Sequence, residues 1–292
     1  MTDGNDRPAR FRAILNGTEC VHPATVFDPM SGIMAEELGF KAGIFAGAIA
    51  SLAILAAPDR VLMTLSEVAE QARRVTRACR IPFLVDGDHG YGNALNVMRT
   101  VRELEAVGVA ALSIEDTELP QPFGGGAGGF VSIEEGAAKM RAALEARTSP
   151  DFVIVGRTSA AARLGLDAAI ARGRAYEAAG VDALFFPGLG TRDQVEALGA
   201  AFEVPLIIGG IAPDAVRREW LAGQGVRLAL PGHAAYFAGL KGLYDAMRAL
   251  REDQSFAGVE QVAPEDVARW SKADDWSGHA AAFLDGGEGS GS

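Results

Sequence analysis

A closed (β/α)8 barrel of TIM type is the α/β fold class this sequence predicts, on three observations. Eight short apolar runs are spread along nearly the whole chain, each ends in a chemically unusual residue or a glycine, and segments of helix length separate them. Hydrophobic runs that are nearly continuous, not alternating, read as parallel strands covered on both faces. A length of 292 residues suits one such barrel.

In chain order the runs are His22–Asp28, Ala42–Gly47, Ile81–Asp88, Ala111–Asp116, Phe152–Thr158, Ala183–Gly188, Pro205–Gly210 and Arg227–His233. A short lead-in helix is predicted within Phe11–Leu15. The other helices are predicted at Ser31–Leu38, Ser66–Cys79, Ala94–Val107, Ser132–Arg147, Leu166–Ala179, Arg192–Phe202, Pro213–Ala222 and Ala234–Glu252. Ser66 stands before Glu67–Glu70, and Ser132 is followed three residues later by Glu135, which are helix-start signals. Pro213 suits a first helical turn. Glu105–Leu112 and Glu177–Leu184 share the layout Glu-Ala-x-Gly-Val-x-Ala-Leu, echoed from Gly225, and each glycine marks a helix end before a strand. An open doubly wound sheet, the rival architecture, has fewer strands and usually a phosphate-binding glycine loop after the first; here Pro29-Met30-Ser31 follows Asp28.

Residues 1–9 read as a disordered N-terminus, 10–285 as a single barrel domain with additional C-terminal helices, and 286–292 as a flexible tail. The amphipathic stretch Pro264–Trp276, with Trp270 and Trp276, must bury its apolar face under its own barrel or on a second subunit. Hydrophobic residues make up 49% of the chain, yet no apolar run reaches the ~20 residues of a membrane span. The N-terminus has no secretory h-region, and two cysteines, Cys20 and Cys79, suggest neither a disulfide framework nor a thiolate metal site. The cytoplasm is the expected compartment. A net charge of −11 argues against a nucleic-acid partner.

Barrel chemistry gathers at strand ends, where this chain carries Asp28, Asp86, Asp88, Glu115, Asp116, Arg157 and His233. The most specific segment is Asp86-Gly-Asp-His-Gly-Tyr-Gly-Asn93, with two carboxylates at i and i+2 on one side of a strand. Adding Glu115 and Asp116 makes four acids expected to converge, an arrangement that calls for a cation. All-oxygen ligation favours Mg²⁺ or Mn²⁺ over zinc, and Mg²⁺ keeps several waters, so one or two direct protein contacts are expected. Arg157 suits bidentate capture of a carboxylate or phosphate, or else an ion pair with Glu115 or Asp86. His233 could orient substrate, move a proton or cap a helix; His22 and His89 are less specific, and His279 reads as solvated. The glycine-rich Leu119–Phe130 reads as a lid over the barrel mouth or as an ordinary flexible loop.

Val26–Ser31, Ala57-Pro-Asp59, Asp86–Asn93, Ser113-Ile-Glu-Asp-Thr117, Gly156-Arg-Thr158 and Gly232-His-Ala-Ala-Tyr-Phe237 together resemble the isocitrate lyase/phosphoenolpyruvate mutase superfamily, over roughly residues 10–250. The Asp86–Thr100 run and the Gly232–Phe237 block look most like its Mg²⁺-dependent oxaloacetate decarboxylase branch. The resemblance implies Asp86 as direct metal ligand, with Asp59, Asp88 and Glu115 acting through metal-bound water. It also implies Arg157 and His233 as substrate contacts, and a homotetramer built from helix-swapped dimers. Three departures stand out. The Leu119–Phe130 loop lacks the acid/base cysteine of the lyase branches; the turn after strand two reads Ala46-Gly47-Ala48 where a substrate-binding serine is usual; and Ser159 replaces a strand-five Asn or Asp. Backbone N–H groups of that turn remain as substrate contacts. The implied activity is decarboxylation of oxaloacetate, or a close 2-oxo diacid, to pyruvate and CO2. The alternatives are C–C or P–C bond chemistry on 2-methylmalate-type or phosphonopyruvate-type acids, and a non-catalytic barrel that binds a carboxylate metabolite.

Overall fold

The computed structural model describes residues 6–124, 129–212, 216–252 and 258–284. Elements follow in the order α1 (Arg7–Leu15), β1 (Ala24–Thr25), α2 (Pro29–Glu37), β2 (Gly43–Phe45), α3 (Gly47–Ala50) with a π-helical turn (Ser51–Leu55), α4 (Leu65–Ala78), β3 (Phe83–Asp86), α5 (Ala94–Ala106), β4 (Ala111–Glu115) and α6 (Ile133–Ala146). Then come β5 (Val153–Arg157), α7 (Ala160–Arg163), α8 (Leu166–Ala179), β6 (Ala183–Phe186), α9 (Arg192–Ala201), β7 (Leu206–Gly209), α10 (Arg218–Gly223), β8 (Val226–Leu230), α11 (Ala234–Arg251), α12 (Pro264–Trp270) and α13 (Ala273–Phe283).

The eight strands form one parallel sheet in sequential order. Val21, just ahead of β1, bridges Leu228 of β8 through Val21 N–H to Arg227 O (2.9 Å) and Ala229 N–H to Val21 O (3.0 Å), so the two edges of the sheet meet. Each apolar run of the sequence carries one strand, shorter than the run, and β8 starts one residue ahead of its run at Val226. Alternation along each strand divides the core into two layers. Phe83, Val85, Leu112, Ile114, Ile154, Leu184, Phe186 and Ile208 pack outward in one continuous cluster with the helices. Leu84, Ser113 and Val155 take the other parity, which is also that of Asp86, Glu115 and Arg157. Pairing of Asp86 with Ser113 and of Glu115 with Arg157 brings those side chains to one rim.

Helix boundaries follow local chemistry. Thr64 caps α4 in a reciprocal box with Glu67, two residues earlier than Ser66 predicts, and Ser132 caps α6 through Glu135 N–H at 3.1 Å. Helix α1 starts at Arg7, inside the segment expected to be disordered. Pro8 fits its first turn, Phe11 and Leu15 are buried, and the Arg7 Nη2 donates to Thr76 O (2.5 Å) and Cys79 O (2.6 Å). Helix α10 begins at Arg218, later than expected; Pro213 lies outside the described residues, as do residues 286–292 of the expected tail. Two short helices, α3 and α7, occupy stretches where none was expected.

The chain divides into two compact units, Met1–Ala234 and Ala235–Ser292. In the second, α12 and α13 pack on one another, and Lys272 makes the turn between them in the left-handed region at φ 53°, splitting the single amphipathic stretch expected there. Along α11, Phe237, Leu240, Tyr244 and Met247 form one exposed apolar stripe at helical spacing. No helix among the described residues is long and apolar enough to cross a membrane.

Gly199 in α9 separates two physical effects. A Cβ there would lie 2.5 Å from the main-chain oxygen of Gln224. Helix propensity alone makes Gly199→Ala stabilising by up to ~1 kcal/mol, whereas the backbone collision makes it destabilising by about 1–3 kcal/mol. The collision prevails, so chemical denaturation of Gly199→Ala is expected to show a lowered midpoint.

Candidate active site

Two adjoining cavities open where the strands end. One, of about 240 Å³, is lined by Ala46, Ala48, Asp59, Asp86, Arg157 and His233 together with Phe185, Leu230 and the glycines of β7 and the neighbouring loops. The other, of about 190 Å³, is lined by Asp59, Asp88, Glu115 and Arg157 together with Arg60, Thr117, Leu119 and Gln121. Asp59 and Arg157 border both. Asp59, Asp86, Asp88, Glu115, Arg157, His233 and the Ala46-Gly47-Ala48 turn therefore sit at this one rim, and the Gly47 N–H approaches Asp86 Oδ2 at 3.4 Å.

Arg157 organises the acids. Its Nη1 donates to Asp86 Oδ1 at 2.5 Å, and its Nε stands 3.2 Å from Glu115 Oε2 without the alignment of a hydrogen bond. The guanidinium carbon lies 5.5 Å from the Phe185 ring centre. Burial works against its charge, but Asp86 and Glu115 more than offset it and hold the Arg157 pKa above its usual value. The two readings of Arg157 are thus compatible in space, because the ion pairs aim its guanidinium along the cavity wall.

The carboxylates show the strain of their crowding. Burial, then Asp86, pushes Asp88 up to about 8. Burial raises Glu115 against the pull of Arg157, and burial with Asp86 raises Asp59, although Asp59 sits on an exposed stretch of loop. Among the described residues no three His, Cys, Asp or Glu side chains converge as a ready-made chelate. The donors instead ring the cavities as separate oxygens, the arrangement suited to an ion that keeps much of its water. Space for it is built into the backbone: a Cβ on Gly47 would come within 3.3 Å of Asp88 Oδ1 and 3.5 Å of Asp86 Oδ2. This donor set fits Mg²⁺.

Two of the strand-end acids do not join the site. Asp28 caps α2, accepting from Ser31 N–H at 2.7 Å, while Ser31 Oγ accepts from the Asp28 N–H at 3.0 Å. Asp116 follows Glu115 and so points to the opposite face, where it is fully buried and accepts from Arg172 Nη1 (3.0 Å) and the Tyr176 hydroxyl (2.6 Å). Three acids of the expected four line the two cavities, and Asp59 supplies another from the loop after the π-helical turn.

His233 stands just before α11, and its Nδ1 is 3.0 Å from Thr25 Oγ1 on β1. Burial lowers its pKa, which favours the neutral ring. Thr25 has no sequence signal beyond lying in the first apolar run, and Phe185 and Leu230 read there only as core. His22 binds Ala229 O through Nδ1 at 2.7 Å, apart from both cavities. His89 is buried and pushed down to about 4. The Leu119–Phe130 loop has a pinned base: Thr117 bridges Phe130, Glu118 N–H donates to Gly129 O at 2.9 Å, and the guanidinium carbons of Arg163 and Arg172 lie 4.6 and 4.9 Å from the Phe130 ring centre. Residues 125–128, at its centre, lie outside the described residues.

The family described as phosphoenolpyruvate phosphomutase matches residues 11–251. A curated relative from Rhodopseudomonas palustris (strain BisB18), named oxaloacetate decarboxylase, is 50% identical over 264 residues, covering 90% of this chain and 92% of the relative. Among solved structures, phosphoenolpyruvate phosphomutase from Streptomyces platensis subsp. rosaceus is similar with a TM-score of 0.85 and 28% identity, covering 95% of this chain and 99% of that one. A phosphonopyruvate hydrolase complex with oxalate and Mg²⁺ is similar with a TM-score of 0.82 and 26% identity, covering 96% and 99%.

Two outcomes follow from this geometry. Asp116→Ala strands a buried Arg172 guanidinium and is expected to lower stability by about 3–5 kcal/mol in urea unfolding. For Asp88, a folded pKa of about 8 against an ordinary 3.8 means that the folded chain binds the extra proton. Its destabilising contribution is absent below about pH 4, grows as pH rises to about 8 and is constant above. In a chelating buffer, the melting temperature of Asp88→Asn relative to the parent protein is therefore expected to climb across that window and then level off.

Proposed function

This chain belongs to the phosphoenolpyruvate phosphomutase family, and on that premise we propose that it decarboxylates oxaloacetate to pyruvate and CO2 in a Mg²⁺-dependent reaction at the rim carrying Asp86, Asp88, Glu115 and Arg157. The observation that carries this reading is the convergence of buried, mutually repelling carboxylates beside one arginine at the strand ends. The 50% identity to an oxaloacetate decarboxylase over nine-tenths of the chain supports the substrate. It is a carbon–carbon lyase.

Asp86 would hold the ion directly, with Asp59, Asp88 and Glu115 holding its water; Mn²⁺ meets the same oxygen preference. Bound there, Mg²⁺ supplies a Lewis acid to the substrate's keto oxygen, where negative charge develops. Arg157 holds a substrate carboxylate from the cavity wall by charge-assisted hydrogen bonds. The N–H groups of the Ala46-Gly47-Ala48 turn add contacts that need no side-chain hydroxyl. The C3–C4 bond breaks, CO2 departs, and its electron pair passes to the C2–C3 enolate. C3 then takes a proton from water, or from His233 when that ring carries its second proton, and Thr25 orients the ring. The apolar wall of Phe185 and Leu230 limits water around the reacting carbons.

The exposed stripe on α11 is the surface on which a second copy docks, giving helix-swapped dimers that pair into a homotetramer. Two buried, unpaired cysteines, Cys20 and Cys79, support a cytoplasmic setting.

Coupled pyruvate detection is expected to show Mg²⁺-dependent turnover of oxaloacetate that chelation removes. Asp86→Ala should lose about 10³-fold or more in kcat/KM, some 4 kcal/mol of transition-state stabilisation. Undiminished activity in that variant overturns the site assignment; faster turnover of phosphonopyruvate or a 2-methylmalate overturns the substrate. Light scattering is expected to report a tetramer, with Tyr244→Glu/Met247→Glu driving it to smaller species.

A further inference from the structure

The segment Gly87–Gly90 is tethered carbonyl by carbonyl. Gly87 O accepts from Gly90 N–H at 2.8 Å, and Asp88 O accepts from Glu115 N–H at 2.7 Å. His89 O accepts from Lys139 Nζ at 3.1 Å, and Gly90 O from Thr100 Oγ1 at 3.1 Å. Four successive main-chain oxygens are thereby held by the loop itself, β4, α6 and α5. Asp88 needs such support, being a non-glycine residue in the left-handed region at φ 47°.

Lys139 is the unusual member of the set. It projects from the middle of α6 and is 3% exposed, with its ammonium directed at a carbonyl. Burial lowers its pKa, and Glu135, Asp116 and Glu115 oppose that shift. A buried ammonium is costly to maintain, and the neighbouring inward positions of α6 are filled by Met140 and Ala143. The carbonyl it grips belongs to the residue after Asp88.

We propose that Lys139 is a positioning residue that fixes the Asp88 carboxylate for the divalent ion by anchoring the His89 carbonyl; this rests on Asp86 and Asp88 being the ion-binding acids. Charge and tether make opposite predictions. As a positive charge near Glu115, Lys139 repels an incoming cation, so removing it should tighten metal binding. As a tether it holds the loop in a strained conformation, so removing it should weaken metal binding by the about 10- to 100-fold typical of groups that orient metal ligands.

Calorimetric titration of Mg²⁺ into the full chain separates the two, with Lys139→Met, Lys139→Arg and Thr100→Val beside the parent protein. Lys139→Met is expected to bind Mg²⁺ at least about tenfold more weakly. Lys139→Arg, which can still donate to the carbonyl, should recover part of the loss, and Thr100→Val should lose less than Lys139→Met. Melting in chelator identifies any variant that does not fold; if Lys139→Met is one, Lys139→Arg and Thr100→Val decide, and both must weaken binding. Unchanged or tighter binding in the folded variants overturns the inference while leaving the metal site intact. Absence of Mg²⁺ binding in the parent protein overturns the site reading and this inference with it.

Discussion

Carboxylates gathered in a partly dry cavity repel one another, and the rim of this barrel is organised around that repulsion. Asp86 faces one of two adjoining cavities, Asp88 and Glu115 face the other, and Asp59 faces both. Arg157 answers part of the repulsion by pairing with Asp86 and lying beside Glu115. The remainder adds to burial at Asp88, where burial first and Asp86 second hold the carboxyl toward its neutral form. A divalent cation relieves such crowding far better than a proton does, since it attracts several oxygens at once while still accepting water. The parallel register does the aiming: strands that pair as Asp86 with Ser113 and Glu115 with Arg157 deliver these side chains to one height without any loop having to find them.

The fold was legible because the strands of a covered parallel sheet are apolar on both faces, and that pattern survives in a single sequence. Seven of the eight strands lie within their expected runs and β8 starts one residue ahead of its own, and the main helices begin near capping residues such as Thr64, Ser132 and Asn93. What escaped notice was short or marginal: α3 and α7 are single turns, too brief for a periodicity to declare itself, and α1 depends on Phe11 and Leu15 finding the barrel. At the site, residue type gave the acids and the arginine, and strand parity separated Glu115 from Asp116 only once the strand's end was known. Asp28 and Asp116 carry the same chemistry as the site acids, yet one caps a helix and the other neutralises a buried Arg172. Thr25 and Lys139 left no trace in the sequence because their roles consist entirely of what they touch.

The rim is also uneven in how firmly it is held. On the side of β3 and β4, main-chain oxygens are tied to three separate elements and Glu115 is fixed to the Asp88 carbonyl. On the opposite side the cavity wall consists of Ala46, Ala48, Gly188, Gly209, Gly210 and Gly232 beside Phe185 and Leu230. These are small side chains or none, with few polar bonds to lose.

That asymmetry confines change to one half of the cavity. An insertion or side-chain swap between β3 and α5 disturbs several tethers together, whereas Gly209 on β7, where an added Cβ would meet nothing closer than 3.7 Å, can take bulk without touching an acid. Drift in substrate preference over evolutionary time, or under directed selection in the laboratory, is thereby channelled to Gly209 and its apolar neighbours Phe185 and Leu230, while the charge-bearing half is inherited as a unit.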